Sequence, residues 1–184
     1  MTSLGETAYA ASRKKLNKII KDLRNCGLEE VFNLPKIVVI GNQSAGKSSL
    51  IEAISQIKVP RASSTCTRCP MEVILISSVE EDWQCKVSLR INHLEASGQQ
   101  LGVFHFRDTG DRDEVPKILR RAQLAILNPS RPLEEFLNLS SDEAKACPLE
   151  VNFSQNTVTV EITGADVDVT FIDLPGIISN TEKV

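Results

Sequence analysis

The stretch Lys36-Ile-Val-Val-Ile40-Gly41-Asn-Gln-Ser-Ala-Gly46-Lys47-Ser48-Ser49-Leu50 decides how this chain reads. A short β-branched run stops at a glycine. Beyond the turn, Leu50, Ile51, Ile54 and Ile57 fall at helical spacing. Between the two, Gly41 to Ser48 matches G-x-x-x-x-G-K-S/T, and the strand-loop-helix context is what makes that pattern informative. A continuous apolar run such as Ile37 to Ile40 suits a parallel strand buried on both faces. The glycines let backbone N–H groups curl around a phosphate at a helix N-terminus, where the dipole already favours anions. In such a loop Lys47 would reach the β- and γ-phosphates and Ser48 would ligate Mg²⁺.

A partner motif lies far along the chain. Phe171-Ile-Asp173-Leu-Pro-Gly176 reads as a strand ending in D-x-x-G. An Asp at a strand's C-terminal end lies where α/β sheets place their ligands. Asp173 would hold Mg²⁺ through water, and the Gly176 N–H would donate to a γ-phosphate. Residue 177 is Ile, so the glutamine that many small GTPases carry just after this glycine is missing.

Around these motifs the patterning predicts alternating elements. Leu16, Ile19, Ile20 and Leu23 form an apolar stripe, with Gly27 as a stop and Arg13, Lys14, Lys15, Lys18 and Lys21 on the outer face. A helix packed on its own protein is the plain reading of that stripe, with a membrane-binding or transit segment as the other. Met71 to Ser78 and the alternating Cys85 to Ile91 read as strands paired in a hairpin. Residues 92 to 114, polar and glycine-bearing, read as a surface excursion. Val115 to Leu127 and a shorter piece around Glu134 to Leu139 read as helices. Thr157 to Ile162 and Val167 to Ile172 read as strands separated by a turn at Gly164.

With 184 residues the chain suits one domain, since that length buries roughly 70% of the unfolded surface. The 41% hydrophobic content offsets chain entropy and excludes disorder. A formal net charge of −3 argues against a general nucleic-acid coat, which needs a basic surplus. The aliphatic runs are far too short to span a membrane. The first twenty residues lack the apolar core of a secretory signal, and five cysteines is an odd number. Reduced thiols in a soluble, cytoplasmic protein are therefore the expectation.

Taken together, these residues resemble the dynamin superfamily of large GTPases. Gly41 to Glu52 is similar to its phosphate loop, in which a Gln and a Ser are distinctive. Val59-Pro-Arg61 with Thr67-Arg-Cys-Pro70 resembles the first switch, and Asp173-Leu-Pro-Gly-Ile177 resembles the second. The run Thr67 to Pro70 is similar to the antiviral Mx-like and fungal dynamin-related branches. The resemblance implies an α/β fold: a phosphate-loop G domain with a mixed, mostly parallel sheet flanked by helices and incomplete at its C-terminus. Residues 1–30 would be a bundle-type amphipathic helix and 31–184 the N-terminal part of that domain.

The activity implied is GTP binding and hydrolysis to GDP and phosphate, probed at Gly41, Gln43, Ser44, Ala45, Gly46, Lys47, Ser48, Ser49, Asp173 and Gly176. Gln43 would orient the attacking water, and Ser44 would help hold a monovalent cation, K⁺ or Na⁺, between the phosphates. Thr67 would contact Mg²⁺ and the water, joining Ser48 and Asp173 as the metal set, and Lys47 completes the catalytic group. Self-association through G domains, membranes or microtubules as partners, peripheral attachment to membranes and membrane remodelling are further implications.

Two departures stand beside the match. Ala62 and Ser64 occupy positions where the family's first switch carries glycines, which bears on the cation site and on efficient hydrolysis. No N/T-K-x-D base-recognition loop occurs, so a truncated or degenerate chain acting as an interaction module is the alternative, and an ATP-using phosphate-loop protein a third reading. In the family's sheet Lys36 to Ile40 is central, so this sequence predicts an exposed apolar edge there. Cys66 and Cys69, with His93 and His105, form a poor zinc pattern because the histidines lie far apart, and redox use of the Cys pair is set aside because it falls inside the first-switch match.

Overall fold

The computed structural model describes Lys15, Leu16 and Ile19 together with residues 36–42, 45–59, 67–78, 82–95 and 98–176. The chain divides into two units, Met1–Pro35 and Lys36–Val184. Of the first unit, Lys15, Leu16 and Ile19 are helical, and the rest of the expected amphipathic helix lies outside the described residues.

Among the described residues the second unit is built on six strands: β1 (Ile37–Val39), β2 (Met71–Ser77), β3 (Gln84–Glu95), β4 (Gly98–Thr109), β5 (Thr157–Ala165) and β6 (Val169–Asp173). Its helices are α1 (Lys47–Ser55), α2 (Val115–Leu127), α3 (Glu134–Leu137) and α4 (Ser141–Ala146). The strands join in the order β1-β6-β2-β5-β3-β4. This is the expected α/β architecture with a mixed sheet. The mostly parallel part of the expectation is corrected: β1–β6 and β2–β5 are parallel, whereas β2–β6, β3–β4 and β3–β5 are antiparallel.

Two local readings are also corrected. β2 and β3 do not form a hairpin, because β5 lies between them and pairs with both. β5 can do so because Val158, Val160 and Ile162 lie level with Met71, Val73 and Leu75 on one side and with Leu89, Val87 and Cys85 on the other. All nine of these side chains are 0–2% exposed, so one continuous apolar row crosses three strands. The supposed excursion at 92–114 is in fact mostly β4, the true hairpin partner of β3. The ladder passes from Val87↔Arg107 to Ser88↔His105, leaving Phe106 as the extra residue of a bulge. The bulge turns Phe106 into the core while Phe104 stays 37% exposed. Strict alternation across that segment is thereby lost.

The helix boundaries follow local chemistry. α2 begins at Val115 with Pro116 in its first turn, where the missing N–H costs nothing. It buries Ile118, Leu119, Ala122 and Leu124 to Leu127 and packs against β3, β4 and β5. The short α4 is held by a capping box: the Glu143 N–H donates to Ser140 Oγ at 3.2 Å, and the Ser140 N–H donates to Glu143 Oε2 at 2.7 Å.

β1 lies at the end of the strand order, bonded to β6 alone among the described strands. Ile37 is 51%, Val38 46% and Ile40 68% exposed, so the expected apolar edge is present rather than a strand buried on both faces.

Candidate functional site

Topology gathers the motifs at one rim of the sheet. β1 and β6 run parallel with Val39 opposite Asp173, so the loop starting at Gly41 and the end of β6 emerge at the same edge. β2 runs antiparallel to β6 with Met71 opposite Asp173, so the segment that enters β2, including Thr67, arrives at that edge too. The C-terminal ends of parallel strands are the usual ligand crevice of such sheets.

The loop turns tightly before α1. The Ala45 N–H donates to the Asn42 carbonyl at 3.3 Å, and Gly46 stands at the N-cap with φ 88°, a left-handed conformation that suits glycine. A Cβ at Gly46 would meet nothing within 4 Å, so the requirement for glycine there is conformational rather than steric. Lys47 Nζ donates to the carbonyl oxygens of Gly41 at 3.1 Å and Asn42 at 3.0 Å. Ser49 is on the exposed side of α1, and Gly176 follows β6 in the described chain. Gln43 and Ser44 lie outside the described residues.

Asp173 is the centre of the arrangement. Ser48 Oγ donates to its Oδ2 at 2.9 Å, and Thr67 Oγ1 donates to the same oxygen at 3.3 Å. Asp173 is fully buried and its Oδ1 has no hydrogen-bond partner. Burial pushes its carboxyl above the ordinary carboxylate value, opposed by the Ser48 and Thr67 hydrogen bonds and by the Lys47 charge. A buried carboxylate oxygen without a partner is costly. Two hydroxyls and a carboxylate are the hard oxygen donors that Mg²⁺ takes, and the unpartnered Oδ1 fits such a cation.

The sequence-predicted residues Lys47, Ser48, Thr67 and Asp173 thus come together, with Gly41, Ala45 and Gly46 shaping the turn beside them. Motif reading missed Glu72. It is 3% exposed on β2, and its carboxylate meets Lys36 Nζ at 2.6 Å and Arg90 Nη1 at 3.1 Å. Nothing in the Glu72 neighbourhood of the sequence distinguishes it from an outward-facing strand residue, because its cations come from β3 and from the residue before β1. The cysteine reading gains no support: burial raises the Cys69 thiol to about 12, so it stays protonated and unreactive. Cys66 lies outside the described residues. Among the described residues no three His, Cys, Asp or Glu side chains cluster as metal ligands.

A loop between strand and helix, its lysine, and a buried Asp at the end of a neighbouring strand define a phosphate-loop α/β domain. The dynamin family model matches residues 37–184, and the chain belongs to that family. It is 38% identical over 160 residues to the interferon-induced GTP-binding protein MxB of Danio rerio, a match covering 86% of this chain and 20% of that protein. It is 34% identical over 179 residues to the interferon-induced GTP-binding protein Mx of Solea senegalensis, covering 96% and 23%. The interferon-induced GTP-binding protein Mx1 of Equus caballus is 37% identical over 161 residues, covering 86% and 19%. The chain therefore spans about a fifth of the length of the curated relatives it matches.

Proposed function

We propose that this chain binds GTP with Mg²⁺ and that its site hydrolyses GTP to GDP and phosphate. The observation that carries this is the meeting of Lys47, Ser48 and Thr67 around the buried Asp173 at one rim of the sheet. The printed names of the Mx relatives, which are GTP-binding proteins, support guanine rather than adenine as the base.

Phosphoryl transfer asks a protein for positioning and electrostatic stabilisation, with little covalent work. Lys47 would exchange two neutral carbonyls for phosphate oxygens, and charge-assisted hydrogen bonds are roughly twice as strong as neutral ones. Ser48, Thr67 and Asp173 would hold Mg²⁺, which supplies charge neutralisation at the phosphates when bound. Because Thr67 shares Asp173 Oδ2 with Ser48, its hydroxyl is already drawn toward the centre and links the first switch to the second. By family resemblance, Gln43 would orient water and Ser44 would help retain K⁺ or Na⁺.

The test is a titration of the purified chain with fluorescent GTP and ATP analogues in Mg²⁺. Saturable binding that prefers GTP is expected, and Lys47→Ala should weaken it about 100-fold, two charge-assisted hydrogen bonds' worth. A folded chain that binds neither nucleotide would overturn the assignment and leave the interaction-module reading.

The same reading extends to the longer proteins of the family. Residues 1–30 would act as a bundle-type helix and 31–184 as part of a G domain that pairs with a second G domain to close its switches. Membrane remodelling or antiviral-type assembly, on membranes or microtubules from a cytoplasmic location, is the corresponding cellular role. Among the described residues no helix is long and apolar enough to cross a membrane, which fits peripheral attachment.

A further inference from the structure

Away from the phosphate loop, a cavity of about 300 Å³ lies between β4 and α2, lined by Arg107, Glu114, Lys117, Ile118 and Arg121. It shares no residue with the site around Asp173. Lys117 and Arg121 are one turn apart on the same face of α2, and Arg107 faces them from β4. In a chain of net charge −3, three cations around one hollow are unexpected from composition.

Their partners make the case sharper. Arg107 Nη1 donates to the Leu137 carbonyl at 2.9 Å and to Asn138 Oδ1 at 3.3 Å. Arg121 Nη1 donates to the same Leu137 carbonyl at 3.2 Å. These acceptors are neutral, so they fix the guanidinium groups without cancelling their charge. Among the described residues, none of Arg107, Lys117 or Arg121 forms an ion pair. Glu114 is the one carboxylate in the lining, and its Oε2 accepts from Thr109 Oγ1 at 2.8 Å. The formal charge of the lining is thus +2, from three cations and one anion.

We propose that this cavity is a second anion site, which takes a small phosphate-bearing anion such as a phosphomonoester or diphosphate. The volume is at the lower end for small-molecule pockets and is too small for a nucleotide-sized ligand with its full surroundings. A dianionic phosphate balances the +2 lining, and its tetrahedral oxygens can address three cations converging from two elements. Two held guanidinium forks suit phosphate better than a chloride-sized ion, since each offers paired N–H donors. The Glu114 carboxylate offsets one of the three cations, so the lining matches a dianion rather than a more highly charged ligand.

The probes are sodium diphosphate, and phosphatidylcholine vesicles with and without phosphatidic acid. Amide shifts of the ¹⁵N-labelled chain during diphosphate titration separate this site from the phosphate loop without any variant. Saturable shifts at Arg107, Lys117 and Arg121, independent of those at 41–50, are expected. Lys117→Met removes an ammonium that makes no hydrogen bond among the described residues, and should weaken this phase about tenfold and leave shifts at 41–50 unchanged. Arg121→Gln is the second variant, with folding checked by circular dichroism. Sedimentation with phosphatidic acid vesicles that Lys117→Met abolishes would assign the phosphate to a lipid headgroup; diphosphate binding without it would assign a free ligand. Shifts confined to 41–50 with no vesicle binding, or binding indifferent to both variants, would overturn the proposal.

Discussion

Asp173 holds the functional argument at the scale of single residues. Its Oδ2 accepts from Ser48 and Thr67, while Oδ1 is buried without a partner. That imbalance costs stability, and under the proposed function a bound cation would offset it. Asp173→Asn keeps an acceptor for the two hydroxyls and removes the buried charge. It should raise the unfolding free energy of the free chain at neutral pH by about 1 kcal/mol, measured in urea, while Mg²⁺-dependent GTP binding falls at least about tenfold. Lower stability of the free protein would show that Asp173 is satisfied in a way the hydrogen bonds above do not express. The meeting of Ser48 with Asp173 was legible beforehand, because the two sit in motifs whose residue types suit phosphate and cation binding. Glu72 was not legible, since burial of a strand glutamate depends on what lies across the sheet.

At the scale of elements, capping and packing explain where the helices fall. α4 has six residues and depends on the reciprocal Ser140–Glu143 bonds. Glu143 is held below the ordinary carboxylate value by those bonds to Ser140, backbone first. Ser140→Ala should cost about 1 kcal/mol locally, seen as faster hydrogen exchange at residues 141–146 with slower-exchanging β5 amides unaffected. The Ser140-x-x-Glu143 signature stands in the sequence, yet the sequence reading placed a helix only around Glu134 to Leu139 and missed this one. β4 is a different case. Its glycines and polar residues resemble a loop, and the bulge at Phe106 breaks the alternation that would have marked a strand. Only the ladder with β3 shows that the segment pairs along its whole length.

Across the whole molecule, the sheet is tied from the start of β1 to β3 through one buried acid. Lys36 and Arg90 both meet Glu72, on opposite sides of β2. The Lys36 side chain is 38% and that of Arg90 25% exposed, which tempers the worth of the pairs. Glu72→Gln should still destabilise the chain by about 2 kcal/mol, because two cations lose their shared counter-charge. A shift in the urea midpoint without a change in slope would report it. At the same scale, β1 leaves Ile37, Val38 and Ile40 exposed on an edge. Val38→Lys should slow the rise of light scattering in concentrated solutions of this chain, with little loss of stability at a position already half exposed. Unchanged scattering would place the association-prone surface elsewhere.

By itself the sequence determined the features that depend on near neighbours. The phosphate loop, the D-x-x-G turn and the limits of α2 are written in residues a few positions apart, where backbone geometry and dipoles act. The order β1-β6-β2-β5-β3-β4 was decided only in three dimensions. Several alternating strands can pair with one another at similar energy, so chain proximity suggested β2 with β3. The matched apolar row of β2, β5 and β3 under α2 selected another arrangement. The same packing put a glutamate inside the sheet and drew three cations around one cavity, consequences of long-range contact that no local pattern encodes.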